Sequence, residues 1–212
     1  MSAATASVSS PAPPSWLVWA ASPARSMAIV GVLALLALGG ALGLHGTSHL
    51  GWHAAVRATA VFAFPFWLLA YCAGPLARFQ PGPTTRALRK RRRAIGLAFF
   101  VAQYVHLAAI VGLVRIEPEI LDDPTGVYGG GFGFLMIGLM AATSNDAAVR
   151  RLGGKNWTRL HRFGQLTLAI VYLATYGPRV AEDLSFWPAV ALLFGAYGLR
   201  AAAAVKQRRA RV

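Results

Sequence analysis

Residues 89–114 read RKRRRAIGLAFFVAQYVHLAAIVGLV, five consecutive cations followed by twenty-one residues without a formal charge. A helix needs about 20 apolar residues to cross a bilayer core, and helical form satisfies every backbone polar group within the segment. The stretch has that length, and its sharp cationic edge marks a membrane face. Working outward, comparable runs occur at Ala28–Leu44, Trp52–Ala77, Gly126–Thr143, Leu160–Tyr176 and Phe186–Val205. Together with Ala94–Val114 they predict an all-α integral membrane protein, a bundle of about six transmembrane helices within residues 26–205. Pro65 is expected to kink the second span. Gly129–Gly131 and Gly133 let the fourth begin irregularly or pack closely.

Composition agrees. Only 13% of the 212 residues are charged while 56% are hydrophobic, and soluble domains carry about twice that charged fraction. The net charge of +14 sits in short clusters between apolar runs, without the aromatic and basic interleaving of single-strand binders, so nucleic acid is excluded as a partner. The lone Cys72 offers no disulfide or cysteine metal pair.

The loops set an orientation. Arg78, Arg86 and Arg89–Arg93 precede the third span; Arg150, Arg151, Lys155, Arg159 and Arg162 surround the junction of the fourth and fifth; Lys206, Arg208, Arg209 and Arg211 close the chain. Glu117, Glu119, Asp122 and Asp123 follow the third span, and Glu182 and Asp183 the fifth. By the excess of cations on the cytoplasmic side, six spans with both termini inside satisfy every loop, the arrangement of a multi-pass protein in a bacterial-type inner membrane. Residues 1–25 read as a disordered tail and 206–212 as a basic cytoplasmic tail. Arg25 before Met27–Leu38 also fits a cleaved signal, although the apolar run continues to Leu44.

Intramembrane ionisable groups are costly and draw attention to function. His106 lies thirteen residues past Arg93, about 20 Å beyond the cationic edge; its simpler role is a hydrogen bond to Gln103 or to a neighbouring helix. His161, between Arg159 and Arg162, belongs near the interface. His45, His49 and His53 recur every fourth residue, a spacing that lines one helix face and suits a divalent metal or a heme edge. Gly46 and Gly51 interrupt that run and no carboxylate lies near it in sequence, so a solvated outer loop is the alternative. Arg57 suits a carboxylate such as a heme propionate, or a position at the outer interface.

Several fragments carry a resemblance. Arg92-Arg93-Ala94-Ile95-Gly96-Leu97 with the later Leu-His-type position His106, then Thr143-Ser144-Asn145, Arg151-Leu152-Gly153 and Trp157-Thr158-Arg159-Leu160-His161, and more weakly Gly51, Arg57, Phe66, Leu68-Leu69-Ala70 and Pro75-Leu76, stand in the order and spacing of a known family. Over about residues 50–180 the chain resembles the ferric reductase-like transmembrane family, nearest to the heme-bearing membrane subunit of the methionine sulfoxide reductase system (MsrQ type). The resemblance implies b-type heme held by histidines of the third and fifth helices, with His106 and His161 at the ligand positions, passing electrons across the membrane to an acceptor on the outer side. The family's further histidine, thirteen residues after the Leu-His one, is here Ala174. Its replacement removes the partner expected at the depth of His106. Helix tilt toward His161, a thioether from Met136, and a five-coordinate or heme-less site are the ways to accommodate it. A heme-less relative serving as membrane scaffold or small-ligand transporter is therefore the alternative reading.

No Gly-x-Gly-x-x-Gly fingerprint is present. A heme-dependent oxidoreductase subunit of this kind would lack its own flavin or nicotinamide domain, and its donor is expected to be another polypeptide or a diffusible carrier such as quinol. Arg89–Arg93, Lys155, Arg159 and Arg162 suit an acidic partner, the phosphate of FMN, or anionic membrane lipid.

Overall fold

The computed structural model describes residues 14–209. Among them are six α-helices: α1 (Pro23–His45), α2 (His49–Phe79), α3 (Pro83–Val114), α4 (Pro124–Ala142), α5 (Asp146–Glu182) and α6 (Trp187–Arg209). Local chemistry fixes where they start. Pro23, Pro83 and Pro124 open α1, α3 and α4, where proline's missing N–H costs nothing. Asp123 accepts from the N–H groups of Thr125 and Gly126, and Asn145 accepts from that of Ala148, satisfying helix donors that lack an internal acceptor.

The interior alternates small and aromatic side chains. Ala34 of α1, Ala63 of α2 and Ala98 and Ala102 of α3 are fully buried and let backbones approach. Trp67 and Tyr71 of α2 then pack with Tyr172 and Tyr176 of α5; the Trp67 ring lies 4.8 Å from both Tyr71 and Tyr172. Gly112 of α3 is required by such an approach, because a Cβ there would fall inside the Trp52 ring of α2. Leu35, Leu36, Leu139, Ile170 and Phe194 instead point outward, as a protein solvated by lipid requires. Five helices are long and apolar enough to span a membrane; α5, interrupted by Arg159, Arg162 and Gln165, is the sixth and packs between α4 and α6.

The structure departs from the expected boundaries in four places. The cations Arg86–Arg93 are the first turns of α3, not a loop. The fifth helix starts at Asp146, well before Leu160, and breaks at Gly153, whose φ of 73° and ψ of 144° separate a short leading helix from the long one. Residues 15–25, expected as part of a disordered tail, form a 3-10 turn at Ser15–Ala20 and the start of α1. Leu17 and Ala20 are fully buried in a small cluster with Ala70, Ala73, Leu88 and Ile95. Arg91 donates to Leu17 O at 2.7 Å. This amphipathic turn buries enough apolar surface to order it; residues 1–13 of the expected tail lie outside the described residues. At the other terminus α6 continues through Lys206 to Arg209.

Charges segregate to opposite ends. Arg78, Arg92, Arg162 and Arg200 gather at what is termed the basic end. Glu117 and Asp183 lie at the acidic end, with His49, His53 and Arg57.

Candidate functional site: two histidines at two levels

His106 projects from α3 toward Thr59 of α2. The Thr59 hydroxyl is fully buried and turned back on its own helix, donating to Ala55 O at 2.7 Å. Its lone pair is thus left for the imidazole, and His106 Nδ1–H donates to Oγ1 at 2.9 Å, a tautomer assigned from the hydrogen-bond network. Nε2 keeps its lone pair, with no hydrogen-bond partner among the described residues. A histidine that ligates a metal almost always has its other nitrogen anchored in this way. The Phe134 ring of α4 lies 6.3 Å from the imidazole. Gln103, the partner considered from sequence, does not hold it; its Oε1 is buried without a hydrogen bond, one turn from His106.

His161 of α5 is arranged differently. Its Nε2 meets Thr143 Oγ1 at 3.1 Å, while that hydroxyl donates to Leu139 O at 2.7 Å. Trp157 stacks on the ring at 4.1 Å and ties itself to Thr143 O through Nε1 at 2.8 Å. The nitrogen farthest from the helix is therefore already occupied.

The two histidines are not brought together. His106 is level with Phe134 and His161 with Thr143, nine residues apart on α4, or about 13 Å along the axis. Two axial nitrogens of one iron, each about 2 Å from it, cannot be so distant. Ala174 lies one turn beyond Val171, the residue facing Gly133 next to Phe134, and is exposed. Met136 is buried in α4, two residues from Phe134.

Around His161 a cavity of about 480 Å³ opens toward the basic end, lined by Phe99, Met140, Gln165, Arg78, Arg92 and Arg200 among others. Asp146 is the chain's one acidic residue outside 117–123 and 182–183. It pairs with Arg93 at 2.8 Å. Arg92 donates from Nε to Ala70 O at 2.9 Å, and Arg200 lies over the Tyr71 ring at 4.6 Å. Gln165, one turn after His161, has its Oε1 buried without a hydrogen bond. Such a lining receives anions and has unused polar capacity beside an imidazole.

Arg57 is engaged elsewhere. Its Nη2 reaches Asp183 at 3.3 Å and Ser185 at 2.9 Å, and its guanidinium lies 5.0 Å from the Phe186 ring. It fastens α2 to the turn between α5 and α6, and reaches a propionate only if that pair opens. Sequence reasoning missed Thr59, Gln165 and Arg200. A hydroxyl or amide inside an apolar helix was the available signal, and which histidine each one serves depends on packing.

These features define a class: a multi-pass helical membrane protein with two histidines held at separate levels of its bundle. Over 152 residues the chain is 32% identical to the protein-methionine-sulfoxide reductase heme-binding subunit MsrQ of Rhodospirillum rubrum, covering 68% of this chain and 70% of that protein. The chain belongs to the MsrQ family. It is also 29% identical over 152 residues to the MsrQ of Azospira oryzae, covering 67% of this chain and 64% of that protein. A third relative, magnetosome protein MamZ of Magnetospirillum gryphiswaldense, is 33% identical over 118 residues, 53% of this chain and 18% of that longer protein. No family model matches the chain, and no solved structure matches it.

Proposed function

We propose that the protein is a heme-binding membrane subunit that carries electrons across the bilayer, with b-type heme as its cofactor. The observation that carries this reading is His106: Nδ1 anchored on Thr59, Nε2 free, deep in the bundle. Two features of the chain support that cofactor. His106 offers an oriented nitrogen. His161 lines a cavity whose guanidinium groups suit propionates. A bound heme supplies reversible one-electron redox chemistry, tuned by its axial ligand and burial.

The chain's own contributions follow from position. Thr59 fixes the His106 tautomer and orientation. The roughly 13 Å between levels supports a reading in which each histidine would serve a different heme. Before His161 can present Nε2, it must leave Thr143, a rotation that Trp157 restrains by stacking. With Ala174 at the family's further histidine position, His106 would be the one histidine among the described residues to hold a heme at its level.

The relatives named as subunits of a methionine sulfoxide reductase system support a separate protein acceptor, which belongs at the acidic, outer end. The basic end would face the cytoplasm, where its cations meet anionic lipid and an electron donor supplied by another polypeptide. A reporter fused to the C-terminus tests this orientation: cytoplasmic fluorescence is expected, and activity of a periplasm-dependent phosphatase fusion contradicts it. Hemin titration of the heme-free protein tests the cofactor. Wild type should bind with a b-type spectrum, and His106→Ala and His161→Ala should each remove a separable part of it.

A further inference from the structure

The acidic end holds a cluster that the heme reading does not use. His49 and His53 lie one turn apart at the start of α2, their rings 4.5 Å from each other. Glu117 arrives from the far end of α3, sixty-four residues later in sequence. Its backbone N–H donates to Leu113 O at 2.9 Å, and Pro118 follows it, so the carboxylate is delivered from a fixed backbone. Oε1 stands 2.8 Å from Nε2 of His49 and 2.8 Å from Nε2 of His53. The carboxylate is only 14% exposed, whereas the histidines are 67% and 47% exposed. The missing carboxylate of the histidine run is thus provided by the fold.

We propose that His49, His53 and Glu117 form a binding site for a divalent first-row metal ion, with Zn²⁺ as its representative. The three ligand atoms lie within 4.8 Å of one another. Bonds of about 2.0–2.1 Å to a tetrahedral ion place ligand atoms about 3.3 Å apart, so the two histidine–carboxylate pairs at 2.8 Å need open by only about half an ångström. Two imidazoles and one carboxylate are a donor set that favours Zn²⁺, Cu²⁺ or Ni²⁺ over Mg²⁺ or Ca²⁺. Binding replaces the two Nε2–H groups, whose protons pass to Nδ1 or to water. The exposed side of the histidines leaves a fourth position for water. Because Glu117 begins the segment between α3 and α4, the ion fastens that segment to the start of α2, next to the contact between Trp52 and Gly112. His53 is six residues before Thr59, about 9 Å along α2, so the site is separate from the His106 level.

The test uses the full chain purified in detergent, stripped with EDTA and titrated calorimetrically with Zn²⁺ alone, the bound metal counted by mass spectrometry after dialysis. One Zn²⁺ per chain is expected, with affinity reduced at least tenfold in His49→Ala, His53→Ala and Glu117→Gln and unchanged in His45→Ala and His106→Ala. Zn²⁺ should also raise the thermal midpoint of wild type and leave that of Glu117→Gln in place. Failure of wild type to take up a stoichiometric ion, or equal uptake by Glu117→Gln and the His49→Ala/His53→Ala double variant, overturns the proposal.

Discussion

Thr59 and His106 show how much one hydroxyl can decide. With the hydroxyl proton assigned to Ala55 O, the imidazole donates from Nδ1 and presents Nε2. Thr59→Val preserves shape and removes that acceptor. Hemin affinity at the His106 level should fall by about 10–100-fold, the usual cost of losing a group that orients a ligand. Thr59→Ser should restore it, which a packing role for the threonine methyl would not. Ala174→His is the complementary gain, expected to produce a bis-histidine spectrum at that level; an unchanged spectrum would show that another ligand already stands there. At the acidic end, Asp183 is held below the ordinary carboxylate range by the Ser185 hydroxyl and backbone N–H, with Arg57 adding to the effect. Since its folded pKa lies below the unfolded one, the stabilisation is present above about pH 4 and lost as pH falls through the folded value. The thermal midpoint of Asp183→Asn should therefore lack the acid-side decline that Asp183 gives wild type.

At the scale of elements, two glycines carry testable geometry. Gly112→Ala drives a methyl into the Trp52 ring, so α2 and α3 must separate; a loss of about 1–3 kcal/mol is expected, read as a lower thermal midpoint. Gly153 sits at φ 73° where the leading segment of α5 meets its long helix. Gly153→Ala should cost about 1–3 kcal/mol through backbone strain alone, since its ψ of 144° lies outside the left-handed helical well and a Cβ there meets no neighbour. The helices themselves were legible because their cause is local: apolar length and flanking cations. The exceptions also have local causes. Cations remain compatible with helix outside the hydrocarbon, so α3 extends back to Pro83. The 3-10 turn at Ser15–Ala20 depends on Leu17 finding a pocket among Ala70, Leu88 and Ile95, a tertiary event without periodicity in so short a segment.

At the scale of the molecule, the candidate site was half legible. Depth along a helix can be counted, so the mismatch between His106 and His161 follows from residue numbers and the structure gives it a ruler in α4. Which side chain meets which cannot be counted. Glu117 joining His49 and His53, Arg57 turning to Asp183, and Thr59 rather than Gln103 holding His106 all arise between helices distant in sequence. The resulting architecture is polar at both ends and has imidazoles at two levels between them. The most direct measurement is the reduced-minus-oxidised absorption spectrum of the full chain purified after growth with ample heme, compared with that of His106→Ala. The account predicts a b-type band in wild type whose amplitude falls in the variant while the helical circular dichroism stays the same. A colourless wild type, or an undiminished band in His106→Ala, would contradict it.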